Sequence, residues 1–330
     1  MKRMYTLIVI LLAFLGVAFF REGGGRTAAQ REPHVGVLQL MHHPALDQIY
    51  KGFLHGMAEE GYHRGKNLKI DYQNAQGDQS NLRTMANKLV NENNNVIYTI
   101  TTPASQAVAN STKKTPIIIG AVTNPKGAGL VKDNQHPGGN ITGVSDQAPI
   151  KQQFKLYREF MPHAKSFGII YTSSDNSAST EHRLFVKEAK REGVTLKSYS
   201  IANSNDLNQV SQQALADNDA VIVPTDNTIA GAMQTLVKNA NAANKPVFPA
   251  ADTMVKQGGV ANYGINQYQL GVEGGKVTGQ VLKGKKPSTT PIKFIRRGEP
   301  ILNEKQTKKL GLHIPAHFKH EAEKNGEVFK

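Results

Sequence analysis

The sequence predicts an α/β fold made of two lobes, each built on a parallel sheet. Three observations carry this. From residue 34 onward, short apolar runs alternate with amphipathic helical stretches, the pattern of strands joined by helices. The plan occurs twice, with a period of about 125–130 residues, which suits two lobes of one architecture and is too long for a solenoid. The segments after the apolar runs hold almost no Lys or Glu, although the rest of the chain is rich in both.

The elements follow in order. HVGVLQL (His34–Leu40) reads as a buried strand. ALDQIYKGFLHGMAEEGY then places Ile49, Phe53, Leu54 and Met57 at helical spacing. KNLKIDYQNA alternates like a strand, and SNLRTMANKLVNENN is a helix with Ser80 as its expected cap. VIYTITT, ASQAVANST and TPIIIGAV continue as strand, helix and strand. The second half repeats this. SFGIIYT leads through a helix ending in Glu192-Gly193, as the first helix ends in Glu60-Gly61. NVIYTITTPASQAVANSTKKTPIIIGAVTNP matches AVIVPTDNTIAGAMQTLVKNANAANKPVFPAADTM, each with a Thr-bearing loop and a Lys close before a Pro. The glycines of NPKGAGLV lack both the GxGxxG spacing and the Lys-Ser/Thr of a phosphate loop. They are expected to permit a tight path toward the crossover between lobes.

Composition narrows the function classes. Of 330 residues none is Cys, so disulfides, thiolate nucleophiles and a lipid-modified Cys are excluded. The formal charge of +14 is dispersed, without a dense basic run, so no nucleic-acid partner is expected. Such a surface suits an anionic cell envelope. MKRMYTLIVILLAFLGVAFFREGGGR has a basic start and an apolar run from Met4 to Phe20. It predicts an export signal or an uncleaved anchor, with the remainder outside the cytoplasm and membrane-associated. No GxSxG, HExxH or close acidic pair supports an enzyme. His313, His317 and His320, interrupted by Pro315, suit a solvated surface better than a metal. No cofactor is expected.

Ligands of open parallel sheets bind outside the carboxyl ends of the strands. The candidate binding residues therefore sit in the post-strand loops. Thr101, Thr102 and Ser105 stand where a strand meets a helix N-terminus and suit a carboxylate; Ser174 and Asn176 are their counterparts. Asp226, between Thr225 and Asn227, and Asp252 are candidates for a ligand ammonium, with Asp226 preferred. Ser105 and Asp226 would equally serve as helix caps. His42-His43, ahead of Pro44, offers a ring to stack on a ligand. Thr123, Ser145, Asp146 and Tyr263 complete the set. Together these groups read an α-amino acid.

VTNPKGAGLV…HPGGNITGVSD, YGINQYQLGVEGGKVTGQVLKGKKPS and ILNEKQTKKLGLHIP resemble the substrate-binding proteins of ABC transporters, most closely those for tryptophan or related aromatic amino acids. The resemblance covers nearly all of residues 34 to 316. It implies a periplasmic-binding-protein-like fold of type I: two doubly wound parallel-sheet lobes joined by a three-segment hinge. Residues 33–145 and 266–288 would form lobe 1, residues 146–265 and 289–330 lobe 2, and residues 1–32 the signal or anchor and tether. It also implies a monomer that hands its ligand to a membrane permease. The family commonly has Asp where this chain has Asn124. A sugar, or another small polar ligand sensed on the same fold, is the alternative; the absence of Trp argues against stacking plates for a sugar. An enzyme on this scaffold is the more distant one.

Overall fold

Strands and helices alternate along the chain in the order the apolar pattern predicts. The computed structural model describes residues 32–295 and 298–330. The expected signal or anchor lies outside the described residues. Among these residues no helix is long and apolar enough to cross a membrane.

The first half comprises β1 (His34–Gln39), α1 (Pro44–Glu59), β2 (Lys69–Asn74), α2 (Gln79–Asn91), β3 (Val96–Ile100), α3 (Thr102–Ser111), β4 (Ile117–Gly120) and β5 (Ile141–Ser145). β3, β4 and β5 are buried at every position, as strands covered on both faces must be. The second half runs α4 (Ile150–Phe160), β6 (Ser166–Thr172), α5 (Asn176–Arg191), β7 (Thr195–Ile201), α6 (Leu207–Asp217), β8 (Ala220–Val223), α7 (Asn227–Gly231), α8 (Met233–Ala243), β9 (Val247–Pro249), α9 (Asp252–Lys256) and β10 (Ala261–Gly264). The remainder is α10 (Gln267–Leu282), β11 (Lys293–Phe294), β12 (Glu299–Asn303), α11 (Glu304–Lys309), α12 (Ala316–Asn325) and β13 (Glu327–Phe329). α2 begins one residue before the expected cap. Asp78, not Ser80, takes the Asn81 N–H on its side chain, a stronger interaction because the acceptor is charged.

The first sheet has the order β2-β1-β3-β4-β5-β11, all parallel. The second has the order β7-β6-β8-β9, also parallel, so the sequence repeat is a repeat of topology. A third sheet, β10-β12-β13, departs from the parallel plan: β10 and β12 are antiparallel. Between them the chain visits the first sheet through α10 and β11. No single helical crossover fixes their relative direction.

The cores show where the chain changes lobes. Val144, Ile265 and Ile292 belong to the core around the first sheet. Ile150, Tyr263 and Leu302 belong to a core around the second. The chain thus crosses three times. The last crossing falls after Phe294, later than the boundary expected at residue 289, because β11 pairs with β5.

α1 and α10 pack backbone to backbone. A Cβ on Gly52 would lie 2.0 Å from the Tyr268 carbonyl oxygen, and one on Gly56 2.0 Å from that of Val272. Gly271 and Gly275 reciprocate against Ile49 and Phe53. The glycines after β4 lie in a turn and not in a phosphate loop. Asn124 Oδ1 accepts the Gly127 N–H at 2.9 Å, Gly129 takes φ +73°, and no helix follows.

Candidate functional site

In doubly wound sheets the ligand crevice opens where the strand order reverses. The first sheet reverses between β1 and β3, the second between β6 and β8. His43 follows β1, Thr101 follows β3, Ser177 follows β6, and Thr225, Asp226 and Asn227 follow β8. All six line one cavity of about 30 Å³ between the lobes. Asp146, from the first crossing, and Gln267, at the start of α10, join them. Ala45, Leu46, Ala121, Ala230, Ala251 and Met254 supply its apolar wall. Among the described residues no Lys or Arg lines it.

The first-lobe wall is neutral and strained. Thr101 has φ 94° and ψ 161°, a region that glycine alone occupies readily. Its neighbours hold it there. Its N–H donates to Gly120 O at 3.0 Å. Its carbonyl accepts from Ser105 N at 3.0 Å and from Ser105 Oγ at 2.7 Å. Thr99 Oγ1 fixes Ser105 Oγ in turn at 2.8 Å. Ser105 therefore serves as a support for Thr101. The Thr101 Oγ1 is buried and, among the described residues, has no hydrogen-bond partner. His43 precedes α1 and is 6% exposed. Burial lowers its pKa, so the ring is neutral. Its Nε2 lies 3.2 Å from Asn227 Oδ1 on the other lobe. A second bond between the lobes joins Thr102 Oγ1 to Ser177 Oγ at 2.9 Å.

The second-lobe wall is acidic and internally bonded. Asp226 takes Thr172 N at 2.5 Å, Thr172 Oγ1 at 3.0 Å and Ile229 N at 3.0 Å, which makes it the cap of α7. Asp175 caps α5 through the N–H groups of Ser177 and Ala178. Glu181, fully buried, takes Thr225 N at 2.7 Å and Thr225 Oγ1 at 3.0 Å. A fourth carboxylate, Asp146 at the first crossing, instead takes Thr123 Oγ1 of the first lobe at 3.0 Å. Loss of water drives all four carboxyls upward in pKa. Asp146 rises to about 6 and Glu181 to about 8. Asp226 rises to about 7, helped by the nearby Asp175 charge.

The remaining expected residues lie elsewhere. His42 is exposed and bonded to Asp47 Oδ1 at 2.9 Å. Pro44 starts α1 and is exposed. Ser174 and Asn176 line a separate outer groove with Arg83 and Lys113. Asp252 faces a surface groove with Tyr268 and Glu327. Tyr263 packs in the second-lobe core and donates to Glu321 Oε2 at 2.7 Å. Ser145 Oγ donates to Thr123 O at 3.2 Å, beside the first crossing. Of the His42-His43 pair, His43 is the one at the cavity; Ser177, Gln267 and the supporting Asp175 and Glu181 are not among the residues the sequence singles out. Glu181 had a signal: it shares helical spacing with Ser177, Phe185 and Ala189, all buried. Among the described residues no cluster of His, Asp and Glu is set to hold a metal; His317 instead pairs with Glu159 at 3.1 Å.

A family model described as ABC transporter substrate binding protein matches residues 34–325. The chain is 35% identical over 287 residues to a tyrosine-binding protein of Clostridioides difficile (strain R20291), covering 87% of this chain and 83% of that one. It is 41% identical, with a TM-score of 0.87, to a solved ABC domain from Streptococcus pneumonia in complex with L-Trp, covering 90% of this chain and 100% of that one. It is 33% identical, with a TM-score of 0.70, to the ligand-free, open structure of a substrate binding protein with adhesive properties from Clostridium difficile, covering 90% and 99%.

Proposed function

Because this chain belongs to the ABC transporter substrate-binding protein family, we propose that it is the extracytoplasmic receptor of an importer, and that it closes on an aromatic amino acid, tryptophan or a close relative. The observation that carries this is a buried cavity with carboxylates and, among the described residues, no Lys or Arg in its lining. Such a cavity favours a ligand that brings its own positive charge.

The ammonium fits between Asp146 and Asp226. Asp146 has the greater spare capacity, since among the described residues Thr123 is the one side chain that donates to it. The ligand carboxylate fits the start of α3, where the helix dipole favours an anion. Thr101 Oγ1 stands there without a partner. In a cavity widened from about 30 Å³ by the ligand, the ring would pack against Leu46, Ala230, Ala251 and Met254; a thioether beside an aromatic ring is a favourable contact. A sugar is less well served, because no Phe or Tyr lines the cavity among the described residues. The L-Trp complex and the tyrosine-binding relative support the aromatic reading.

Closure supplies the mechanism. Ligand contacts from both walls favour the closed state by their differential affinity. The closer fit to the L-Trp complex than to the open protein supports a closed arrangement here. The ligand is then handed to a membrane permease without chemical change.

A thermal-shift screen of the twenty amino acids and common sugars tests the ligand class. An aromatic amino acid at one hundred times its Kd stabilises by about 2.7 kcal/mol. A response to sugars alone would refute the reading. Asp146→Asn and Asp226→Asn are each expected to weaken binding by about 2–5 kcal/mol in calorimetry. Parental affinity in both would remove the ammonium from this corner.

A further inference from the structure

The protonation of one cavity atom can be followed bond by bond. Asp175 Oδ1 accepts the N–H groups of Ser177 at 2.8 Å and Ala178 at 3.1 Å. Asp175 Oδ2 lies 3.4 Å from Asn227 Nδ2, which donates to it. That contact orients the amide. Asn227 Oδ1, an acceptor, is left facing His43 Nε2 at 3.2 Å. Nε2 must therefore carry the ring proton, and in a neutral imidazole the other nitrogen is then a bare acceptor. Nδ1 is buried and, among the described residues, has no partner, in a residue that lines the cavity.

We infer that His43 Nδ1 accepts a hydrogen bond from the ligand, and that the second lobe sets it to accept through the Asp175–Asn227 chain when the lobes close. The inference rests on the aromatic amino-acid reading of the cavity. The chemistry required is an N–H or O–H donor, which such a ligand carries at two places: the ring substituent and the α-ammonium. Sites built to hydrogen-bond a donor reject analogues that lack it. Placed on the ring side, His43 would separate tryptophan and tyrosine from phenylalanine. Neutrality is maintained by burial.

The test uses the full chain with 15N-labelled histidine, titrated with L-Trp, L-Tyr and L-Phe. Two-bond ring correlations should show His43 as the Nε2–H tautomer in the complex, with its Nδ1 resonance displaced on binding. A ring protonated at Nδ1, or an unmoved Nδ1 resonance in a protein that binds, would overturn the inference and leave the aromatic reading intact. If none of the three amino acids bound, the aromatic reading would fall, and this inference with it. His43→Phe should weaken binding by about tenfold or more; unchanged affinity overturns the inference. Asn227→Leu keeps the His43 ring and should lower the Nε2–H population, so the outcome does not depend on one variant folding. 1-Methyl-L-tryptophan locates the donor. Weaker binding than L-Trp in the parent, with the difference abolished in His43→Phe, assigns the ring N–H. Equal binding of the two, with all ligands weakened alike in the variant, assigns the ammonium.

Discussion

The two walls of the cavity solve the problem of buried polarity in opposite ways. The second-lobe wall holds Asp175, Glu181 and Asp226, each tied to backbone N–H groups of its own lobe. The first-lobe wall holds no carboxylate of this kind. It presents Thr101 in a strained conformation and two polar atoms, Thr101 Oγ1 and His43 Nδ1, without partners among the described residues. A buried polar atom left unsatisfied costs about 1–3 kcal/mol. The carboxylates of the second-lobe wall are thus bonded within their own lobe, whereas on the proposed reading the first-lobe wall keeps two acceptors or donors for a ligand. Preorganised charge stands on one side of the cleft and unsatisfied hydrogen-bonding atoms, among the described residues, on the other.

The strongest way to break that division is to unseat the first wall. Gly56→Leu would drive a side chain into the Val272 carbonyl, 2.0 Å from the new Cβ. Urea denaturation should show a loss of about 3 kcal/mol or more. A parental midpoint would mean that α1 and α10 are not in contact.

The carboxyls at and behind the cavity predict an opposed pH response. Asp146, Asp226 and Glu181 have ordinary values of 3.8, 3.8 and 4.5 when unfolded and are raised to about 6, 7 and 8 in the fold. Between these limits the folded protein binds more protons than the unfolded chain, so stability falls as pH rises. The unliganded Tm should therefore be highest near pH 4 to 5 and decline toward pH 8. A cationic ligand prefers the ionised carboxylates. Its affinity should rise, by roughly tenfold, over the upper part of the same window. Parallel trends would show that these carboxyls do not face the ligand.

A smaller effect separates strain from recognition. Thr101→Gly should stabilise the unliganded protein by about 1 kcal/mol, by relieving the backbone. It should also weaken binding by about 1 kcal/mol, by removing the hydroxyl. Thermal melts and calorimetry on one variant check both signs.

Much of this was legible in the chain. The βα alternation and its repeat gave the two sheets, since strands buried on both faces must be continuously apolar. The post-strand loops located Thr101, Asp146, Thr225, Asp226 and Asn227 at the cavity. What escaped was fine register. At a helix start, a shift of one residue decides whether a side chain faces the cleft or the solvent. His43 lines the cavity while His42 is exposed, and Ser177 lines it while Asn176 lies in the outer groove. Asp175 gave no sequence cue beyond that of an ordinary cap. The antiparallel pairing of β10 with β12 depends on a detour through the other lobe, which local patterns do not record.

The glycine contact between α1 and α10 has a consequence for how such a receptor can diversify. His43 and Gln267 sit at the tips of these two helices, whose shafts meet at glycines packed against the other helix's backbone. Any bulkier residue along the shaft acts as a wedge and shifts both tips together, whereas a change at a tip alters one contact and leaves the other in place. New ligand preferences are therefore easier to reach by editing the ends of these rods than by remodelling their shared seam.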